Sequence, residues 1–239
     1  MPRYRIQRNG DKMEEKVLRT LGEQIRPEHT ALIVIDPQED FIGTNGYAAL
    51  YLGWDVSRLQ TAMRRLNNFL PKARGAGVKL IWVRTTYGKD TLTPNVKALW
   101  SGMETKRVPQ GKGPQPKFVK EGTPGANWWS EMTGPRPDEA VITKWHYDSF
   151  EDTNLDLLLR SSGIKTLVIT GVLTNVCCET TLRHAFVKGY YVALVSDCTD
   201  TVSQQQYQAT LLNVTKHFGI VASSGEVLEA WQLLKVEEG

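Results

Sequence analysis

Short apolar runs alternate along the chain with segments in which apolar residues recur every three or four positions. The runs cover residues 31–35, 79–87, 139–144, 166–172, 190–197 and 219–223. Runs of this length, rich in β-branched residues, are typical of strands that are buried on both faces. The periodic segments predict helices, which we place at residues 55–77, 153–162, 175–188, 205–217 and 226–234.

Strands that alternate with helices favour a parallel sheet with right-handed crossovers and helices on both faces. We therefore predict an α/β protein with a three-layer α/β/α, Rossmann-like fold and a six-stranded, mainly parallel sheet. In such sheets the ligand site lies beyond the carboxyl ends of the strands, near the point where the strand order reverses.

Two segments depart from this alternation. Residues 1–28 are mixed in charge and weakly periodic, and we treat them as an N-terminal arm that is either disordered or packed on a neighbouring subunit. Residues 29–239 then form a single domain. Within it, residues 88–134 are broken by Pro and Gly yet contain three Trp residues, which predicts a compact excursion with short helices that covers the active-site edge.

Composition narrows the class of protein. A net charge of +3 over 239 residues, without clusters of Lys and Arg, gives no sign of a nucleic-acid partner. No segment approaches the ~18 consecutive apolar residues of a membrane span, and the charged N-terminus lacks the apolar core of a secretory signal. Three cysteines without framework spacing favour a reducing compartment. We expect a cytoplasmic protein with no membrane partner.

Three predicted strands lead into groups that can carry chemistry. The first ends at Asp36, the third ends at Lys144, and the fourth leads to Cys177 at the start of a helix. A helix N-terminus favours an anion, so we expect a stabilised thiolate at Cys177. An aspartate within reach can accept the thiol proton and later protonate a leaving amine. Each residue has an ordinary structural explanation when taken alone, but their meeting at one sheet edge favours catalysis.

The three segments that contain these residues resemble the isochorismatase-like cysteine hydrolases. They read ALIVIDPQEDF, AVITKWHYDSF and GVLTNVCCETTLR, against a family pattern of a strand ending in Asp, a strand ending in Lys, and Gly-x-x-Thr-x-x-Cys. The superfamily includes nicotinamidases, N-carbamoylsarcosine amidohydrolase, biuret hydrolases and ureidoacrylate amidohydrolases. The resemblance runs from about Ala31 to the C-terminus, and its last motif is highly specific.

The resemblance implies a role for each matching position. Asp36 would be the general acid and base, Lys144 its charged partner and Cys177 the nucleophile. A cis peptide bond is implied between Val172 and Leu173, and the amides of Leu173 and Cys177 would form the oxyanion hole. Cys178 is turned about 100° further along the helix, so we assign it to packing.

The resemblance also bears on the branch of the superfamily. Metal-dependent members bind zinc or a similar ion through an Asp-x-His pair after the second strand, and the corresponding segment here, WVRTTYGKDTLTP, has no histidine. We therefore predict no metal and no cofactor. The Cys177 region and the segment that follows Lys144 look most like the ureidoacrylate and biuret group, which implies hydrolysis of a C–N bond in a small carbamoyl or ureido compound.

The substrate pocket is less strongly marked. Aromatic and polar residues flank the reactive strand ends, and our candidates for substrate binding are Phe41, Glu39, Tyr87, Trp145, Tyr147 and Phe150. Each of the aromatic residues could equally be core. By analogy with the superfamily we expect a homo-oligomer, a dimer or a tetramer, that acts on a small-molecule substrate. Two other functions stay open: a vinyl-ether hydrolase of the isochorismatase type, and a non-catalytic protein that binds small molecules.

Overall fold

The sheet of the computed structural model, which describes residues 17–88, 93–104 and 118–237, has six parallel strands. They are β1 (Thr30–Ile35), β2 (Lys79–Thr85), β3 (Ala140–Lys144), β4 (Thr166–Val172), β5 (Tyr191–Asp200) and β6 (Ile220–Ala222). Their order across the sheet is β3-β2-β1-β4-β5-β6, and every pair is parallel. The α/β fold predicted from the alternating pattern is confirmed.

Helices cover both faces of this sheet. The helices of the described residues are α1 (Leu21–Gln24), α2 (Glu39–Ile42), α3 (Tyr47–Tyr51), α4 (Ser57–Ala76), α5 (Pro94–Glu104), α6 (Leu155–Ser161), α7 (Glu179–Val187), α8 (Gln204–His217) and α9 (Ser224–Glu237). Alternate β1 side chains face opposite ways: Leu32 and Val34 join α4 and α9 in one core, and Ile33 joins α6, α7 and α8 in the other. The three layers follow from this alternation.

The structure differs from the predicted elements in two ways. The predicted helix from residue 175 begins instead as a π-helical turn, Thr174–Cys178, and α7 follows it. The one-turn helices α2 and α3 were not predicted, because four or five residues are too few to display helical periodicity. All three segments lie where the site forms.

The N-terminal segment packs on the domain from Leu18 onward, where the Leu18 amide donates to the Tyr191 hydroxyl at 3.1 Å. Ile25 is fully buried, and Trp231 Nε1 of α9 donates to its carbonyl at 2.7 Å. Residues 1–16 of the predicted arm lie outside the described residues. In the excursion, the structure describes α5 and a 3-10 turn at Pro124–Ala126, as expected for short helices. Residues 89–92 and 105–117 lie outside the described part.

The two central strands, β1 and β4, approach each other closely at the carboxyl edge. Gly171 has a φ of 107°, and a Cβ built on it would lie 2.0 Å from the carbonyl oxygen of Ile35. Only glycine tolerates both the dihedral angle and the contact. Separately, no helix among the described residues is long and apolar enough to cross a membrane.

Candidate active site

The site forms where the strand order reverses, between β1 and β4. Asp36 directly follows β1, Cys177 lies in the turn after β4, and Lys144 is the last residue of β3. Because all strands are parallel, these three positions open at the same edge of the sheet. Thr85 ends β2 and is the register partner of Lys144, so it lies between the outer strand and Asp36.

Asp36 and Lys144 form a buried ion pair. Lys144 Nζ lies 2.9 Å from Asp36 Oδ2, and neither side chain is exposed to solvent. The Thr85 hydroxyl donates to Asp36 Oδ1 at 3.1 Å, and Lys144 Nζ also donates to the carbonyls of His146 and Tyr147 at 3.0 and 3.3 Å. Buried charges persist in proteins when they are paired in this way.

Asp36 adopts an unusual backbone conformation to make this pair. Its φ is 53°, in the left-handed region that aspartate tolerates better than most residues. Its amide donates to the Val83 carbonyl at 2.9 Å, and its carbonyl accepts the amide of Gln38 at 2.8 Å. The backbone on either side therefore fixes the carboxylate at the end of β1.

Cys177 completes the cluster. Its side chain hydrogen-bonds with both Asp36 and Lys144, and it is almost fully buried. Burial raises the pKa of the thiol, Lys144 lowers it and Asp36 raises it, and together they bring it to about 12. Burial also lowers the pKa of Lys144, but Asp36 and Cys177 more than offset this and leave it above its ordinary value. The expectation of a stabilised thiolate is therefore wrong for the unliganded protein, because the site excludes water from the sulfur.

The turn that carries Cys177 is tightly wound. The peptide bond between Val172 and Leu173 is cis, and the amides of Val176 and Cys178 both donate to the Leu173 carbonyl. Among the described backbone hydrogen bonds that lie outside helices and strands, none has the amide of Leu173 or of Cys177 as its donor. Cys178 points the other way and packs in the core, with Sγ 3.7 Å from the Thr170 carbonyl.

A cavity of about 370 Å³ opens above Cys177. Of the predicted substrate-binding residues it is lined by Phe41, Tyr87 and Tyr147, and Leu173 also contributes. Residues that the sequence did not single out complete it: the aromatic Tyr47, Trp54 and Phe118, the aliphatic Leu52, Leu99, Val176 and Val202, and the polar Thr85, Asn175, Thr201 and Gln206.

Three predicted substrate-binding residues do not line this cavity. Glu39 accepts the amide of Ser130 at 2.6 Å and so ties α2 to the loop that contains Ser130. The ring of Phe150 packs 5.1 Å from His184 in the core on the α7 face, where its burial is structural. Trp145 follows the last residue of β3 in a bend, is half-buried, and is not among the residues that line the cavity.

Asp40 explains how distant segments reach the cavity. Its buried carboxylate accepts the amides of Tyr47 at 3.0 Å and Val119 at 2.6 Å, which brings α3 and the end of the excursion together. Burial raises the pKa of Asp40, although these two hydrogen bonds lower it. Gln38 has a similar role, since its side chain bonds to the Thr85 backbone and the Ala126 carbonyl. The sequence shows Gln38 and Asp40 shortly after Asp36, but it does not show which residues their side chains bond to.

In residues 17–88, 93–104 and 118–237, no group of three or more His, Cys, Asp or Glu side chains has an arrangement that could hold a metal ion.

Sequence and structure comparisons agree on the family. The model of the isochorismatase domain matches residues 30–226. Ureidoacrylate amidohydrolase RutB of Agrobacterium fabrum is 32% identical over 206 residues, which cover 83% of this chain and 88% of that protein. The RutB of Pantoea ananatis is 31% identical over 223 residues, which cover 91% and 88%.

Solved structures share the fold. A cysteine hydrolase from Pseudomonas syringae pv. phaseolicola matches with a TM-score of 0.75 at 24% identity, over 92% of this chain and 99% of that one. An N-carbamoylsarcosine amidase from Thermoplasma acidophilum matches with a TM-score of 0.62 at 23% identity, over 82% and 96%. The family model and the curated relatives confirm the resemblance seen in the three motifs: the chain belongs to the isochorismatase family.

Proposed function

We propose that this hydrolase of amide C–N bonds uses Cys177 as a nucleophile on a small carbamoyl or ureido compound and needs no metal ion. The observation that supports this most strongly is the contact of the Cys177 thiol with a buried Asp36–Lys144 ion pair at the base of the cavity. The substrate class is supported by the curated relatives, which are named ureidoacrylate amidohydrolases.

In the first step, sulfur attacks the substrate carbonyl while Asp36 accepts the thiol proton. A thiol with a raised pKa keeps its proton until the carbonyl is present, so deprotonation and attack are coupled. As the S–H bond breaks and the S–C bond forms, the negative charge moves from the Asp36 carboxylate, which is now protonated, to the carbonyl oxygen. The amides of Leu173 and Cys177 would hold that oxygen, in the manner of an oxyanion hole.

In the second step, the C–N bond breaks and Asp36 returns its proton to the leaving nitrogen. The product left on the enzyme is a thioester of Cys177. A water molecule, deprotonated by Asp36, then attacks the thioester carbon and releases the second product together with the regenerated thiol. Lys144 stays cationic throughout, and Asp36 relays every proton between the Cys177 thiol, the leaving nitrogen and water, so no step requires a metal.

The test is ammonia release from biuret, ureidoacrylate, N-carbamoyl amino acids, maleamate and nicotinamide. We expect the wild type to hydrolyse a carbamoyl or ureido member of this set, and Cys177→Ser to lower kcat on the order of a thousandfold or more. Cys178→Ala is the matched control, expected to stay within about twofold because its sulfur contacts only core atoms.

Two outcomes would contradict the proposal. One is full activity in the Cys177→Ser enzyme, which would remove the nucleophile. The other is an activity that a chelator abolishes and added metal restores. Release of pyruvate from a vinyl ether, retained in Cys177→Ser, would instead support the isochorismatase-type reaction.

A further inference from the structure

The upper part of the cavity is apolar. Its aromatic and aliphatic side chains, which we call the apolar wall, are Phe41, Tyr47, Leu52, Trp54, Phe118 and Val202. The rings pack on each other, with centroids 4.7 Å apart for Phe41 and Phe118 and 5.2 Å apart for Tyr47 and Phe118. Of the described residues that line the cavity, none is Asp, Glu, Lys, Arg or His.

Polar side chains interrupt this lining, and two of them carry an unsatisfied atom. Asn175 Oδ1 and Thr201 Oγ1 are buried atoms of cavity-lining residues, and neither has a hydrogen-bond partner within the described protein. Thr201 is only 1% exposed. Buried polar groups in folded proteins are nearly always paired. A ligand with neutral hydrogen-bonding groups would satisfy both atoms.

The cation nearest the reacting sulfur is already committed. Lys144 is paired with Asp36 and donates to two carbonyls, so it has no remaining capacity for a carboxylate on the substrate. An anionic group placed against the apolar wall would lose its hydration without gaining a counter-charge from the described lining. The described lining therefore disfavours an acidic substrate and favours one with an apolar group.

We propose that the substrate is an uncharged amide or ureide that carries an aryl or branched alkyl group. The apolar wall binds that group, the Thr201 hydroxyl and the Asn175 side-chain oxygen bind the neutral polar part, and the scissile carbonyl lies at Cys177 Sγ. This inference rests on the proposed function. It separates this protein from enzymes for ureidoacrylate, which is a carboxylate.

The experiment uses two matched series, each scored by ammonia release. The first is benzylurea, propylurea and ureidoacetate, and the second is phenylacetamide, butanamide and succinamate. In the series that is hydrolysed, we expect kcat/KM to rise from the carboxylate to the propyl compound to the aryl compound, with at least about a tenfold span carried mainly by KM. A carboxylate that is the best member would overturn the inference.

Binding keeps this test separate from catalysis. Calorimetry with the Cys177→Ser protein should give a lower Kd for benzylurea or phenylacetamide than for ureidoacetate or succinamate, and the reverse order would overturn the inference. Hydrolysis that depends on Cys177 but prefers carboxylates would contradict the substrate class alone. Tight aryl binding with no hydrolysis of any amide would contradict the proposed function and leave the pocket chemistry supported.

Two substitutions in the cavity lining and one control test the assigned contacts. Thr201→Val should raise KM for the aryl substrate about tenfold without lowering Tm, because the lost hydroxyl bonds only to the ligand. Thr210→Val is the matched control: its hydroxyl donates to Glu179 at 2.5 Å, so Tm should fall while KM stays unchanged. Val202→Arg should move the preference towards ureidoacetate by at least about tenfold. An unchanged KM in Thr201→Val would contradict the assigned contact.

Discussion

The two ends of the cavity are built in different ways. The floor is Cys177, which lines the cavity, backed by the buried Asp36–Lys144 ion pair, which lies behind the sulfur and outside the lining. The apolar wall consists of side chains from α2, α3 and the loops, held by ring packing and by the carboxylate of Asp40. The floor stands on three parallel strands, whereas the wall stands on connections between elements.

The difference separates chemistry from selectivity. On the floor the charges of Asp36 and Lys144 satisfy each other, so removal of either one leaves a buried partner uncompensated. On the wall a substitution alters volume and polarity but leaves the floor hydrogen bonds in place. Changes to the floor should therefore affect all substrates alike, and changes to the wall should affect substrates according to their side groups.

The largest effect is expected from Asp36→Asn. This change removes the proton acceptor and leaves the Lys144 ammonium buried without its counter-charge. We expect kcat to fall on the order of a thousandfold and the free energy of unfolding to fall by about 3–5 kcal/mol. Steady-state kinetics and denaturant titration measure the two quantities.

An exposed ion pair provides the control for Asp36→Asn. Arg64 and Glu131 are joined at 2.7 Å, but about half of each side chain is exposed. Glu131→Gln should change neither activity nor stability measurably, since solvent screens such pairs. Equal losses of activity and stability in Asp36→Asn and Glu131→Gln would mean that the buried ion pair contributes no more than the exposed one, which would contradict the prediction.

The second-largest effect is expected on the rate of Cys177 alkylation as the pH changes. Because the pKa of Cys177 is raised to about 12, its thiolate fraction rises about tenfold for each pH unit below that value. Alkylation of Cys177 by iodoacetamide should therefore accelerate about 100-fold between pH 7 and pH 9. Peptide mapping by mass spectrometry gives the rate at each cysteine.

Cys178 and Cys198 serve as internal controls for alkylation. Both are fully buried and neither lines the cavity, so they should react later than Cys177. A rate at Cys177 that reaches a plateau below pH 8 would show a stabilised thiolate and would restore the expectation drawn from the helix N-terminus.

The smallest effect is expected on the wall. Phe118→Ala removes a ring that packs against both Phe41 and Tyr47. We expect kcat/KM for an aryl substrate to fall about tenfold, while a small neutral amide such as butanamide changes by less than about threefold. The ratio of the two kcat/KM values is the readout. An equal loss on both substrates would indicate that the wall and the floor are not independent.

The residues of the floor could be predicted from the sequence because the ends of the strands could be predicted. Apolar runs located β1, β3 and β4 to within a residue or two, and a parallel sheet places all their carboxyl ends at one edge. Asp36, Lys144 and Cys177 could therefore be grouped before any coordinates were known. The raised pKa of Cys177 could not be predicted, since it depends on how completely the folded protein buries the thiol.

The wall was only partly readable because its members come from unrelated parts of the chain. Phe41 and Tyr87 follow strands closely and were identified. Tyr47 and Phe118 come together because Asp40 accepts the amide of Tyr47 and that of Val119, the residue after Phe118, which lies 79 residues from Asp40 in the sequence. Phe150 was assigned to the pocket because it follows Lys144 closely, yet its ring turns into the core. Proximity in sequence does not determine which way a loop side chain points.

The central claim is that Cys177 is acylated during turnover. The direct measurement is rapid quenching of the wild-type enzyme with a substrate that it hydrolyses, followed by intact mass spectrometry and peptide mapping. We predict a mass increase equal to the acyl or carbamoyl part of the substrate, located on Cys177 and absent from the Cys177→Ala protein. Steady turnover with no adduct on Cys177 at any quench time, together with undiminished activity of Cys177→Ala, would contradict the account.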